Sequence, residues 1–93
     1  MPPPATPARL RFAVVGPQPV RGDVRFRFEL PDAGHAAIDV FDLGGRRVGL
    51  AANDWPAGSN EVRWDSSTLP AGVYLARLSV GPRSEVVRFV RIR

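Results

Sequence analysis

Hydrophobic and polar positions alternate with a period of two along most of the chain. Leu10, Phe12 and Val14 alternate with Arg11 and Ala13 until Gly16-Pro17-Gln18-Pro19 stops the run, which predicts a first strand. The second run is the most regular: Val24, Phe26, Phe28 and Leu30 alternate with Arg25, Arg27 and Glu29. Such a strand puts one face in a core and the other in water. Pro31-Asp32-Ala33-Gly34 reads as a turn, with Pro suited to the first central position and Gly free to take positive φ. A third strand over residues 35–41 aligns Ala36, Ile38 and Val40, and Phe41 and Leu43 break the alternation at its end. Asp42-Leu43-Gly44-Gly45-Arg46 then closes a tight hairpin into a fourth strand over residues 47–51.

Residues 52–60, containing Trp55-Pro56-Ala57-Gly58, read as a loop before a short fifth strand in which Val62 and Trp64 point the same way. Residues 65–72 interrupt the chain again. A sixth strand over residues 73–80 aligns Tyr74, Ala76, Leu78 and Val80, and Gly81-Pro82-Arg83 turns it into a seventh over residues 85–92. Seven short strands with turn signals every 8–12 residues or so, and no helical periodicity, predict an all-β fold. The architecture expected is a seven-stranded immunoglobulin/fibronectin-III-like antiparallel β-sandwich spanning residues 9–93. A small closed barrel shares this alternation. Residues 1–8 carry Pro2, Pro3, Pro4 and Pro7 without apolar periodicity and read as a linker.

Composition narrows the function classes. A chain of 93 residues is one small domain, which buries only about 60–65% of its unfolded surface and has little core to spare for a deep catalytic cavity. Cysteine is absent, which excludes disulfides, thiolate metal sites and cysteine nucleophiles. All 13 basic side chains are arginine, so lysine Schiff bases, P-loop lysines and lysine isopeptide crosslinks are excluded as well. The net charge of +4 is spread among nine acids, and the high sequence pI reflects arginine's own pKa more than a nucleic-acid footprint. No apolar run approaches a membrane span. A chain opening on Met1 and three prolines is not a secretory leader, so an export signal, if used, is expected upstream.

The order of the punctuation between strands resembles the C-terminal immunoglobulin-like modules of the FlgD-like and type IX secretion sorting-domain families. The resemblance runs from Leu10 to the chain's last residue. A Leu-Pro-x-x-Gly turn stands as Leu30-Pro31-Asp32-Ala33-Gly34, and the Tyr-Asp-x-x-Gly-Arg-x-Val hairpin as Phe41-Asp42-Leu43-Gly44-Gly45-Arg46-Arg47-Val48. Pro56-Ala57-Gly58 precedes the Trp-Asp strand, Val62-Arg63-Trp64-Asp65, and Leu69-Pro70-Ala71-Gly72-Val73-Tyr74 matches Leu-Pro-x-Gly-x-Tyr. The departures are a Gly16-Pro17-Gln18-Pro19 turn without the usual Asn, Phe41 for Tyr, a shorter segment at residues 65–68, and arginine for lysine in the last strand. Pro31, Gly34, Asp42, Gly45, Arg46, Trp64, Gly72 and Tyr74 are thus the structural motif residues.

The resemblance implies a non-catalytic module of a longer secreted or surface-exposed bacterial protein, acting as a sorting or surface-anchoring signal through recognition of its folded surface. FlgD-like membership implies instead a structural assembly module that pairs with other subunits. The partner implied is a protein, either secretion machinery or a neighbouring domain or subunit, with an anionic surface glycan as a further possibility. The residues themselves place the contact at Arg25, Arg27, Arg46, Arg88, Arg91 and Arg93, because a planar guanidinium suits carboxylates and phosphates. A terminal strand is also expected to leave unpaired backbone groups at a sheet edge. The competing reading of Arg25 and Arg27 is a wet sheet face with cross-strand Arg–Glu pairs.

Other chemistries find too few residues. His35, the single histidine, has no companion ligands and sits beside a turn. Ser66 and Ser67 lie in a short turn with no nucleophile elbow around them. Asp39, Asp42, Asp54 and Asp65 follow no calcium-loop spacing, and such aspartates usually bond local amides. Arg21-Gly22-Asp23 reads as a polar Gly turn rather than an adhesion tripeptide. Trp55 and Trp64 read as packing residues ahead of a sugar-binding platform. No metal or cofactor is expected.

Overall fold

The computed structural model describes residues 10–92. The seven strands are β1 (Arg11–Val15), β2 (Asp23–Leu30), β3 (Gly34–Asp42), β4 (Arg47–Trp55), β5 (Gly58–Asp65), β6 (Gly72–Val80) and β7 (Arg83–Arg91). They form two open antiparallel sheets, β1-β2-β5 and β4-β3-β6-β7. The fold is therefore the two-sheet sandwich and not a closed barrel, with three strands facing four as in fibronectin-type domains.

Alternation carries directly into the core. Val24, Phe26, Phe28 and Leu30 of β2 meet Ala36, Ile38 and Val40 of β3, Tyr74, Ala76 and Leu78 of β6, and Phe89 of β7. Aromatic rings bridge the sheets in series: Phe12 lies 5.5 Å from Phe26, Phe26 meets Phe89 edge-on at 5.9 Å, and Phe89 stacks on Tyr74 at 5.5 Å. Phe26, Phe28 and Phe89 are almost completely buried. Burying each is worth about 1.5–3 kcal/mol. The offset and edge-to-face geometries add to that through the ring quadrupoles.

The segment expected to be a loop, residues 52–60, is mostly strand. β4 runs on to Trp55 and β5 begins at Gly58, so only Pro56 and Ala57 separate them. Ala52, Asn53 and Asp54 are weak strand formers with no apolar alternation. Register against β3 supplies what propensity does not: Ala37 pairs with Ala52, Ala36 with Asn53, His35 with Asp54 and Gly34 with Trp55. The Trp55 ring anchors this end edge-on against Phe28 at 5.1 Å. Gly58 takes φ +97°, and Asn60 Nδ2 donates to the Pro56 and Gly58 carbonyls at 2.9 and 3.2 Å, which shapes the passage from one sheet to the other.

Trp64 explains a glycine. On the inner side of β4, a Cβ on Gly49 would overlap the Cζ2 and Cε2 atoms of the Trp64 ring. The indole of β5 can cover β4 only because residue 49 has no side chain. A bulge in β4 between the pairs Val40–Gly49 and Phe41–Arg47 sets this offset.

Candidate recognition surface

The last strand is stitched into the fold rather than left as a free edge. β7 pairs with β6 from Gly72–Arg91 to Val80–Arg83. On its other side Val20, from the β1–β2 connection, forms a parallel bridge: Val20 N–H donates to Val90 O at 2.8 Å, and Ile92 N–H donates to Val20 O at 2.9 Å. Val90 N–H donates to Gln18 Oε1 at 3.0 Å. The expectation of unpaired backbone groups thus fails over this C-terminal half of the strand. Val20, an apolar residue isolated between Pro19 and Arg21, was the sequence signal for this closure.

Arg91 also departs from expectation. It is only 6% exposed, because it shares the inward parity of Val87 and Phe89 along β7. Its Nε donates to Ser66 O at 2.5 Å, Nη2 to Ser67 O at 3.1 Å and Nη1 to Ile92 O at 2.7 Å. All three nitrogens are committed to backbone carbonyls, so Arg91 ties β7 to the β5–β6 connection and offers no accessible charge. Ser66, fully buried, donates through Oγ to Gly22 O, and its N–H bonds the same carbonyl. The middle residue of Arg21-Gly22-Asp23 is thereby fixed from inside, while Asp23 pairs with Arg63 at 3.6 Å. Beside Ser66, the Asp65 carboxyl is held below its ordinary 3.8, first by the Ser67 hydroxyl and then by the Ser67 N–H, with Arg91 a smaller contribution. Arg93 lies outside the described residues, as does the Pro-rich segment 1–8.

Most of the motif residues converge at one end of the sandwich. Asp42 Oδ1 accepts from the N–H groups of Gly44 and Arg46, both at 3.0 Å, Oδ2 pairs with Arg46 Nε at 3.3 Å, and Gly45 takes φ +86°. Opposite, Tyr74 Oη donates to Pro70 O at 2.6 Å. A hydroxyl returning to the backbone where the chain changes sheets is the tyrosine corner of immunoglobulin-like folds. The two devices border a cavity of 320 Å³ lined by Leu43, Arg46, Val48, Leu69 and Val73. Leu43 is 69% exposed at its rim. Gly72, which opens β6, lines the same cavity, whereas Pro31 and Gly34 lie elsewhere and flank the β2–β3 turn.

The arginines fall on two different outer faces. On the three-stranded sheet, Arg25 and Arg27 share Glu61 at 3.7 and 3.5 Å, and Arg11 pairs with Glu29 at 3.6 Å. This is a wet face of cross-strand ion pairs. Arg88 is exposed on the four-stranded sheet, opposite Leu75 in the β6–β7 register. Nearby Asp39, whose role no motif marks, is 7% exposed and neutralises Arg47 at 3.3 Å and Arg77 at 3.8 Å. Arg77 also covers the Phe41 ring at 5.2 Å.

Among the described residues no cluster of three His, Asp or Glu side chains is placed to hold a metal. His35 pairs with Asp54 at 3.2 Å on the exposed edge. No helix among the described residues is long and apolar enough to cross a membrane.

The sequence matches no curated protein. It does match the family model described as "Secretion system C-terminal sorting domain" over residues 14–92, which takes in the end of β1, all of β2 to β7 and both motif loops. The chain belongs to the secretion system C-terminal sorting domain family, whose members mark proteins for secretion or for anchoring at the cell surface.

Proposed function

We propose that the type IX sorting signal of this family is read here as a folded surface, not as a linear C-terminal tail. The observation that carries this reading is the commitment of the last strand. β7 is paired to β6 along its length, bridged by Val20, and locked by the Arg91 guanidinium onto Ser66 and Ser67. A reader of the extended tail would have to strip β7 from β6 and from the Val20 bridge and leave those carbonyls and the Phe89 site exposed. That costs a large share of the domain's stability. A reader of the folded face pays none of it. The domain's role is then recognition by the secretion machinery, with the chemistry of any cargo residing elsewhere in the carrier protein.

The test is secretion of a reporter fused ahead of the whole chain, in a bacterium carrying the type IX machinery. The comparison is the same reporter carrying residues 83–93 alone. The intact domain is expected to export the reporter and the terminal segment to leave it inside the cell. Equal export by the isolated segment would refute recognition of a folded surface.

A further inference from the structure

The two outer faces of the sandwich differ in kind. On the three-stranded sheet Arg11, Arg25, Arg27 and Arg63 each stand beside an acid. On the four-stranded sheet, strand register builds two rows that run across all four strands. One row reads Arg47, Phe41, Leu75, Arg88, with arginines on the outer strands and apolar residues between them. The next reads Leu50, Asp39, Arg77, Val86, with apolar residues outside and an ion pair between. Val86 is 57% exposed and Leu50 50%. These two rows hold three arginines and the single acid Asp39, which pairs with Arg47 and Arg77; Arg88 makes no ion pair among the described residues. The third row, Ala52, Ala37, Ser79 and Ser84, is small and uncrowded. Exposed apolar side chains set among incompletely neutralised cations are what an interface looks like before its partner arrives.

We infer that this outer face of the four-stranded sheet docks an acidic patch of a partner protein, whose carboxylates meet Arg88 and Arg47 while its apolar side chains cover Phe41, Leu75, Val86 and Leu50. The inference rests on the folded-surface reading above and names the face that is read. Three interstrand steps of about 4.8 Å place Arg47 and Arg88 about 14 Å apart along their row. The partner's carboxylates are therefore on a similar spacing, with apolar groups between them. A protein fits better than a phosphate surface. Phosphates that satisfied the two arginines would set polar headgroups against the Phe41–Leu75 pair between them, whereas an acidic protein patch complements both.

The test uses the full chain behind a secreted reporter, with Arg88→Lys, Arg88→Gln, Arg88→Glu, Val86→Thr and, on the opposite face, Arg63→Glu. Each variant is first checked for an unchanged urea midpoint. Export is expected to follow the charge series: near wild type for Lys, reduced for Gln, and down about tenfold for Glu, the scale on which reversing one interfacial charge acts. Val86→Thr also lowers export, and Arg63→Glu leaves it unchanged. If Arg88→Glu exports normally while a fusion lacking the domain stays in the cell, the docking face is refuted and the sorting role stands. If the fusion lacking the domain is exported as well, the sorting role itself fails. Purified wild-type domain that binds lipopolysaccharide micelles, with binding lost in Arg88→Glu, would overturn a protein as the occupant.

Discussion

Arg91 and Arg88 lie three residues apart on one strand and are predicted to have opposite energetic fates. Replacing Arg91 by Met keeps much of the buried aliphatic stem and removes the guanidinium. The Ile92 carbonyl, near the end of β7, can return to water. The Ser66 and Ser67 carbonyls lose charge-assisted donors at 2.5 and 3.1 Å, and Ser66 is fully buried. At roughly 1.5–2 kcal/mol for each bond to a charged group, the loss is about 3–4 kcal/mol. A domain of this size is stable by about 5–14 kcal/mol, so the variant forfeits about a fifth or more of that. Urea unfolding followed by the fluorescence of Trp55 and Trp64 measures it. With a slope of about 1 kcal/mol per molar urea, the midpoint falls by about 3–4 M. Arg88→Met, exposed and without an ion-pair partner among the described residues, is expected within about 0.5 kcal/mol of wild type. An Arg91→Met midpoint matching that of Arg88→Met would refute the assignment of Arg91 as an internal tie.

Tyr74→Phe keeps the stack on Phe89 and removes the donor to Pro70 O. A loss of about 1–1.5 kcal/mol, seen as a fall in melting temperature of about 4–8 °C per kcal/mol, is expected in a thermal scan. Gly49→Ala forces Cβ into the Trp64 ring and should cost about 1–3 kcal/mol. Trp64→Phe in the same chain should recover part of that, so a double-mutant cycle that comes out additive would argue against the contact. Because the Asp65 carboxyl sits below its ordinary value in the fold, its contribution is present above about pH 4 and is lost as pH falls through the folded value. Asp65→Asn should therefore flatten the acid limb of the stability profile while leaving its shape near neutrality unchanged. Arg27→Gln, taken from a solvent-exposed pair with Glu61, should move the urea midpoint by the equivalent of about 0.5 kcal/mol or less.

Much of the fold is legible in the sequence because strand parity is local. The alternation of Val24, Phe26, Phe28 and Leu30 against Arg25, Arg27 and Glu29 already determined which face of β2 is core. The same holds for Ala36, Ile38 and Val40 of β3 and for Tyr74, Ala76 and Leu78 of β6. The order of the motif turns likewise pointed to the sorting family, since turns depend on residues only a few positions apart. Arg91 shares the parity of Val87 and Phe89, yet the sequence reading put it on the contact surface because an arginine is rarely buried. What it meets there, carbonyls some 24 residues earlier in the chain, exists only once β7 and the β5–β6 connection are brought together.

Tertiary structure alone decided three further things. It made strand of residues 52–55, whose weak propensities yield to pairing with β3. It turned Val20 from a loop residue into the bridge that closes the edge of β7. It also sorted the arginines: Arg25 and Arg27 find Glu61, Arg47 and Arg77 find Asp39, and Arg88 stands in register with Leu75. A strand's own residues determine which way each side chain faces, but which charges become neighbours depends on register between strands far apart in sequence. That is why the sequence alone identified the domain, and only the folded sheets show how its charges are distributed over the two outer faces.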